Sequence, residues 1–370
     1  MSRYARLEAQ ADHLEAVLMS HKIRATVEGG TVTPRLIRFR LLPAAGVKIA
    51  QIARLSEELA LALGMSSCRI VRKDDHIQLE FPRAERRIIR LTTLSAQVKP
   101  PPATCILGLD ADGAPMLLRL SSPDVAHVLI AGTTGSGKTA LAQTMIASLL
   151  EFNSVTELGL VLIDPKGRGY APFSAAPHLL LPLADGVDAA LDALTWLASE
   201  MERRDREQIA LPRIVTFIDE LADLAMLGGK PFERQLTRLV QRGREAGVHV
   251  VACTQKPSAS VIGSLVKSNF PVRVVGSVAS AEDARVATGL AGSGAEKLAG
   301  RGDFLVVAHG IPHRLQAAYI APAEIELLLA RLNGAIAWPR GRVIEGRPTS
   351  SRWTDDLSAL TARMKRIVGG

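Results

Sequence analysis

The stretch Gly132-Thr133-Thr134-Gly135-Ser136-Gly137-Lys138-Thr139 constrains this chain more than any other. It follows the apolar run His127-Val128-Leu129-Ile130-Ala131 and opens a helix-like segment from Lys138 to Leu150. A G-x-x-x-x-G-K-[ST] loop set between a strand and a helix is the pattern of a phosphate cradle. Its glycines let the backbone wrap an anion, and N–H groups at the helix start point at that anion. Gly132, Thr133, Thr134, Gly135, Ser136, Gly137, Lys138, Thr139 and Ala140 are therefore the expected nucleotide-binding residues. The chemistry assigns Lys138 to the β- and γ-phosphates of ATP and the Thr139 hydroxyl to Mg²⁺. A Gly-rich turn before an ordinary helix is the plainer reading, and the flanking strand and helix disfavour it.

With 370 residues the chain suits two or three domains with sizeable cores. A hydrophobic content of 47% excludes a largely disordered chain. No apolar run reaches the roughly 18 residues of a membrane span, and the N-terminus lacks a secretory apolar region. Cytoplasmic residence is the expectation. Cys68, Cys105 and Cys253 lie far apart without C-x-x-C spacing, so neither a disulfide framework nor a zinc site is expected. The formal net charge of +8 favours a polyanionic partner. Aromatic residues are only 4% of the chain, which argues against single-strand binding by base stacking.

Residues 1–30 read as a helix, Arg6 to Met19, followed by a Gly29-Gly30 turn. A compact α+β unit is expected over 31–98. There Ile37, Phe39 and Leu41 alternate with Arg38 and Arg40, the mark of a strand with one buried face. Ile52, Leu55, Leu59 and Leu63 recur at helical spacing, with Gly64 at the cap. Further strands are expected at Cys68–Val71 and Ile77–Phe81. Lys99-Pro100-Pro101-Pro102 reads as a stiff linker, and 99–125 as that linker with a leading strand.

The core, 126–320, repeats buried strand and helix. Near-continuous apolar runs at His127–Ala131, Leu160–Ile163, Ile214–Ile218, His249–Cys253 and Val272–Val275 indicate an α/β fold with a mainly parallel sheet. Phe304–Ala308 and Leu315–Ile320 are expected to finish that sheet as an edge hairpin. Residues 321–370 form a tail with a helix at Ala323–Leu332 and an amphipathic helix from near Thr354. The tail either docks a partner or packs on the core.

Ile214 to Ile218 is an apolar strand that ends in Asp219-Glu220. After a phosphate loop, such a pair supplies an acid that orients Mg²⁺ and a base that aligns the attacking water. Gln255 ends the next strand, where an amide can sense the γ-phosphate; capping a loop is its plainer role. Asp164-Pro165-Lys166 ends the strand at 160–163 on the same carboxyl edge, where ligands gather in open α/β folds. Lys166 is equally readable as a solvated charge.

Arg203 and Arg204, in Glu200-Met201-Glu202-Arg203-Arg204-Asp205-Arg206, are candidate arginine fingers or members of a salt-bridged face. Arg244 is a further candidate. Two loops are candidates for phosphate contacts: Gly228 to Arg234, with Lys230 and Arg234, and Lys256 to Asn269, with Lys256, Ser258 and Lys267. His127, His178 and His249 have no ligand spacing and read as structural.

Taken together, Gly132–Leu150, Asp164-Pro165-Lys166, Glu200–Arg204, Ile214–Asp223, Gly247–Ser258, Gly294–Leu298 and Gly300–Asp303 resemble the FtsK/SpoIIIE family of DNA translocases. Thr33–Arg40, Pro43–Lys48 and Leu55–Leu63 resemble the small α subdomain that precedes the motor in that family. The resemblance implies a RecA-like P-loop ATPase in a homo-hexameric ring that pumps double-stranded DNA. It implies that Asp219 and Glu220 are the Walker B pair, and that the loops near 228–234 and 256–269 approach DNA. The membrane region and the winged-helix γ subdomain usual in the family are not recognisable in these residues. Two rivals remain: a motor with a protein or conjugative cargo, and a nucleotide-gated DNA-binding adaptor with little turnover.

Overall fold

The computed structural model describes residues 3–33, 36–72, 76–82, 88–255 and 269–335. Lys256, Ser258 and Lys267, and the helix expected from Thr354, lie outside the described residues. The chain divides into two compact units, one of residues up to Ile88 with Ala111–Ala114, the other of Ile89–Asp110 and the residues from Pro115 onward.

The first unit contains α1 (Arg3–Ser20), β1 (Ala25–Val32), β2 (Leu36–Pro43), α2 (Ile49–Ala53), α3 (Ser56–Ala62), β3 (Arg69–Arg72) and β4 (Ile77–Pro82). Its antiparallel sheet has the order β1-β2-β4-β3. The alternation seen in the sequence turns Phe39 and Leu41 of β2 inward, together with Leu79 and Phe81 of β4. Phe39 and Phe81 meet edge to face with ring centroids 5.9 Å apart.

Three expectations change here. Leu14 and Leu18 of α1 are fully buried in this core, so the N-terminal helix belongs to the unit and is not an extension. Gly29 and Gly30 lie within β1, where the register slips between Val27 and Gly30, and make no terminal turn. A Cβ on Gly30 would come 2.8 Å from the Phe39 ring, so glycine is needed for the close approach. The expected single helix through Leu63 is two short ones, α2 and α3.

The second unit contains β5 (Ile89–Arg90), α4 (Leu91–Ser95), β6 (Thr104–Asp110), β7 (Pro115–Arg119), β8 (Val128–Ala131), α5 (Lys138–Phe152), β9 (Leu158–Ile163) and α6 (Val187–Glu207). It continues with β10 (Arg213–Ile218), α7 (Leu221–Arg242), β11 (Val248–Thr254), β12 (Val272–Val275), α8 (Ala281–Thr288), β13 (Asp303–Ala308), β14 (Ile311–Tyr319) and α9 (Pro322–Ala335). The Lys99–Pro102 run lies inside this unit, between α4 and β6, and so does not mark the boundary expected of it.

Five strands pair in parallel, in the order β12-β8-β11-β10-β9. The remaining flank, β7-β6-β14-β13, joins β12 with antiparallel pairing, so the sheet is mixed. The β13–β14 hairpin is therefore interior and not the expected edge. β6 pairs with β14 and covers the polar backbone that an edge would leave open.

Alternate residues of the parallel strands face opposite layers. Val128, Ile130, Leu160, Leu162, Val215 and Phe217 pack with α5, while Leu129, Val161, Ile163, Ile214 and Ile218 pack with α6 and α7. Each such fully buried side chain contributes about 1.5–3 kcal/mol of transfer free energy. Ile325, Leu328 and Leu329 of α9 join the α5 layer, so the first part of the tail packs on the core. Among the described residues no helix is long and apolar enough to cross a membrane.

Candidate nucleotide site

Parallel register brings the site together. Ile218 pairs with Ile163 on one side and Ala252 on the other, so Asp164, Asp219 and Cys253 follow on the same sheet edge. β8 lies between β12 and β11, whereas the next strand in sequence, β9, forms the far edge of the sheet. That reversal of strand order opens a crevice beyond the carboxyl ends, and the Gly132–Thr139 loop occupies it.

The loop is framed from outside. Thr133 donates from its N–H and its Oγ1 to the Ser277 carbonyl, at 2.7 and 3.0 Å. The outward carbonyls of Gly135 and Ser136 accept from Arg301 N at 3.0 Å and Gly302 N at 2.9 Å. Gly137, at φ 100°, sits so close to this turn that a Cβ would be 3.0 Å from Gly302 N. A glycine-rich turn of this kind can offer backbone N–H groups to an anion, the concavity that takes a polyphosphate. Lys138 Nζ donates to the Gly132 carbonyl at 2.6 Å and the Thr133 carbonyl at 3.2 Å. Burial lowers the ammonium's pKa from its ordinary value, and an incoming phosphate would reverse that penalty.

Gly169 keeps a small hollow open. A Cβ there would lie 2.9 Å from Thr139 Cγ2, 3.2 Å from Asp219 Oδ2 and 3.4 Å from Asp164 Oδ2. The Thr139 hydroxyl and the Asp219 carboxylate are hard oxygen donors, the kind Mg²⁺ takes alongside phosphate oxygens and water. Among the described residues no group of three His, Cys, Asp or Glu is placed to hold a metal ion by itself. Asp219 is pushed up to about 6 by burial and by the Glu220 charge. A bound cation would offset both causes.

Glu220 adopts the left-handed conformation, φ 50° and ψ 48°, where β10 gives way to α7. Non-glycine residues rarely sit there, and such strain clusters at functional sites. Its Oε1 accepts from Lys166 Nζ at 2.7 Å and also from Gln255 Nε2. Gln255 Oε1 in turn accepts from the Thr134 hydroxyl at 2.9 Å. Asp164 fixes the turn that carries Lys166: its Oδ1 accepts from Lys166 N at 3.1 Å, and its Oδ2 from Gly169 N at 2.6 Å and Tyr170 N at 3.0 Å.

Lys138, Thr139, Asp219, Glu220 and Gln255 therefore meet at one edge. The arginines do not. Arg204 is fully buried, donating to Glu200 at 2.7 Å and to the carbonyls of Pro212 and Ala246 at 2.7 and 3.1 Å. Its finger role is corrected to an internal brace, because a side chain with no exposed surface cannot reach a neighbouring subunit. Arg203 is half-buried and forks onto Glu200 at 2.8 and 2.7 Å, with a further bond to Glu207. Arg244 is exposed. All three lie near the amino ends of β10 and β11, away from this chain's own phosphate loop.

Lys230 and Arg234 are exposed, but on α7 and not in a loop. The helix resumes after Gly229, whose φ 54° and ψ −151° kink it, and Pro231 fits at the restart. His127, His178 and His249 are buried. The turn from Gly300 to Asp303 that braces the loop, and the part played by Gly169, were not assigned from the sequence. The crowding of glycines was the available signal.

The FtsK/SpoIIIE family model matches residues 90–210 and 204–259, and the FtsK alpha domain model matches residues 2–83. The DNA translocase SftA of Bacillus subtilis is 35% identical over 357 residues, covering 88% of this chain and 37% of that protein. The DNA translocase FtsK of Pseudomonas aeruginosa is 32% identical over 382 residues, covering 89% of this chain and 47% of its own length. The chain thus spans less than half the length of these curated relatives. Among solved structures, the pCW3 conjugation coupling protein TcpA, in its monomer form with ATPγS, aligns at TM-score 0.58 and 18% identity, covering 86% of this chain and 99% of that one. The cytoplasmic domain of the Thermomonospora curvata type VII secretion ATPase EccC aligns at TM-score 0.60 and 23% identity, covering 71% of this chain and 36% of that one. At such identities the likeness establishes the P-loop ATPase fold alone.

Proposed function

From the premise that this chain belongs to the FtsK/SpoIIIE family, we propose that it hydrolyses ATP to move double-stranded DNA, working in the cytoplasm as a homo-hexameric ring. The observation that carries the reading is the meeting of the phosphate loop with Asp219, Glu220 and Gln255 at one sheet edge.

In this reading the loop N–H groups and Lys138 bind and orient the polyphosphate. Thr139 and Asp219 hold Mg²⁺, which when bound offsets charge on the γ-phosphate. Glu220 aligns the attacking water and takes its proton at the carboxylate. Gln255 reports on the γ-phosphate from between the loop and Glu220. Arg203 or Arg244 of a neighbouring subunit supplies positive charge to the transferring group. Arg244, exposed, is the better placed to cross an interface. Lys230 and Arg234, with Lys256, Ser258 and Lys267, contact DNA phosphates without reading sequence.

The test is steady-state ATP turnover with and without long linear duplex DNA. Strong stimulation by duplex is expected, with at least a hundredfold loss in Lys138→Ala and in Glu220→Gln. Turnover indifferent to duplex would redirect the motor to a protein cargo. ATP binding without any turnover would favour a nucleotide-gated adaptor.

A further inference from the structure

Two neighbouring strands deliver a donor each to the same oxygen of Glu220. Lys166, just beyond β9, and Gln255, just beyond β11, converge on Oε1 from either side of β10. A base that activates water must present a lone pair to it, and an oxygen saturated by an ammonium and an amide presents a poor one. We propose that Lys166 is a positioning residue that holds Glu220 in a resting arrangement, and that turnover requires this ion pair to open. The inference rests on the ATPase reading above.

The latch is firm at its root and loose at its tip. The Lys166 backbone is fixed by Asp164 Oδ1 at 3.1 Å, in a turn closed by Gly167 N on the Asp164 carbonyl at 2.9 Å. Its side chain is 57% exposed, whereas that of Glu220 is 8% exposed. Water competes for the ammonium, so the pair is weak enough for a ligand to displace. Opening a pair buried at both ends would instead leave an uncompensated charge inside the protein.

The release path is contiguous. Thr134 of the phosphate loop donates to Gln255, and Gln255 donates to Glu220. An anion entering the loop competes for the Thr134 hydroxyl and gives the Lys166 charge a second negative partner. Either effect weakens the hold on Oε1.

The experiment uses the full chain and the variants Lys166→Met, Lys166→Arg and Glu220→Gln. Without DNA, Lys166→Met is expected to raise kcat about fivefold with KM within twofold of the parent, while Lys166→Arg restores the low rate. A fall in kcat with Lys166→Met would overturn the proposal by making Lys166 a helper of the reaction. An unchanged kcat would make it a bystander. A double-mutant cycle of Lys166→Met and Glu220→Gln in thermal unfolding does not depend on turnover. It is expected to show a coupling of about 2 °C in Tm without nucleotide, lost with ATPγS. No coupling, or coupling indifferent to ATPγS, would refute the latch. A parent that binds ATP but never turns over would sink the ATPase reading, and the cycle would still decide whether the pair forms and opens.

Discussion

Arg204 carries a charge inside the protein and is held there by Glu200 and two backbone carbonyls. Removing it leaves Glu200 buried with its charge shared only by Arg203, and leaves the Pro212 and Ala246 carbonyls short of a donor. Arg204→Ala is expected to cost about 3–5 kcal/mol of stability, read from the urea midpoint. Arg203→Ala, at the less buried end of the same network, is expected to cost less, about 1.5–3 kcal/mol. Equal losses would contradict the burial argument. The sequence placed both arginines in one charged helix and could not separate them, because a one-position step around the helix decides which faces the core.

The histidines make a second argument at this scale. Burial, with the charge of His249, lowers His127 to about 3, and burial lowers His249 to about 4. Both are neutral when folded, and His127 Nδ1 accepts from Val250 N at 3.1 Å. The unfolded chain takes up protons below about pH 6.5, while the folded chain does so only near pH 3–4. Stability is therefore full above pH 6.5 and falls as the pH drops through that window. Between pH 7 and pH 5 the two together are expected to cost about 4 kcal/mol, measured by denaturant titration at each pH. Replacing His249 with Gln is expected to halve the slope.

At the scale of elements, the phosphate loop depends on a turn more than 150 residues away in sequence. Gly300, at φ 66°, would place a Cβ 3.2 Å from the Gly135 carbonyl. Gly300→Val therefore adds a left-handed penalty of about 1–2 kcal/mol and pushes the turn off the loop's carbonyls. About a tenfold loss of ATPγS affinity is expected by calorimetry, with the helical circular dichroism retained. Parental affinity would show that the loop holds its shape unaided. Strand and helix positions, by contrast, were legible: the buried runs matched β8 to β12 within two residues at each end. Apolar run length and period carry that information locally. The loop brace, the placement of β6 beside β14 and the kinked helix at Gly229 are nonlocal or conformational, and no period in the sequence encodes them.

For the whole molecule, charge sets the terms. A net +8 on the chain favours a polyanionic partner such as duplex DNA, whatever its sequence. Among the described residues the basic candidate contacts are Lys230 and Arg234, both exposed on α7 beyond its kink. Binding through phosphates releases counterions, so the logarithm of the affinity falls linearly with the logarithm of salt, by about 0.9 for each phosphate neutralised. Removing one such contact is expected to reduce the slope by about 1 without altering preference among sequences. Lys230→Ala with Arg234→Ala should therefore flatten the slope by about 2 per engaged subunit, measured with a labelled duplex between 50 and 200 mM salt, a range in which such contacts dominate. Random and defined duplexes are expected to weaken equally. An unchanged slope would move the DNA path off α7, whereas a loss confined to one sequence would replace a phosphate-tracking motor with a site-specific binder.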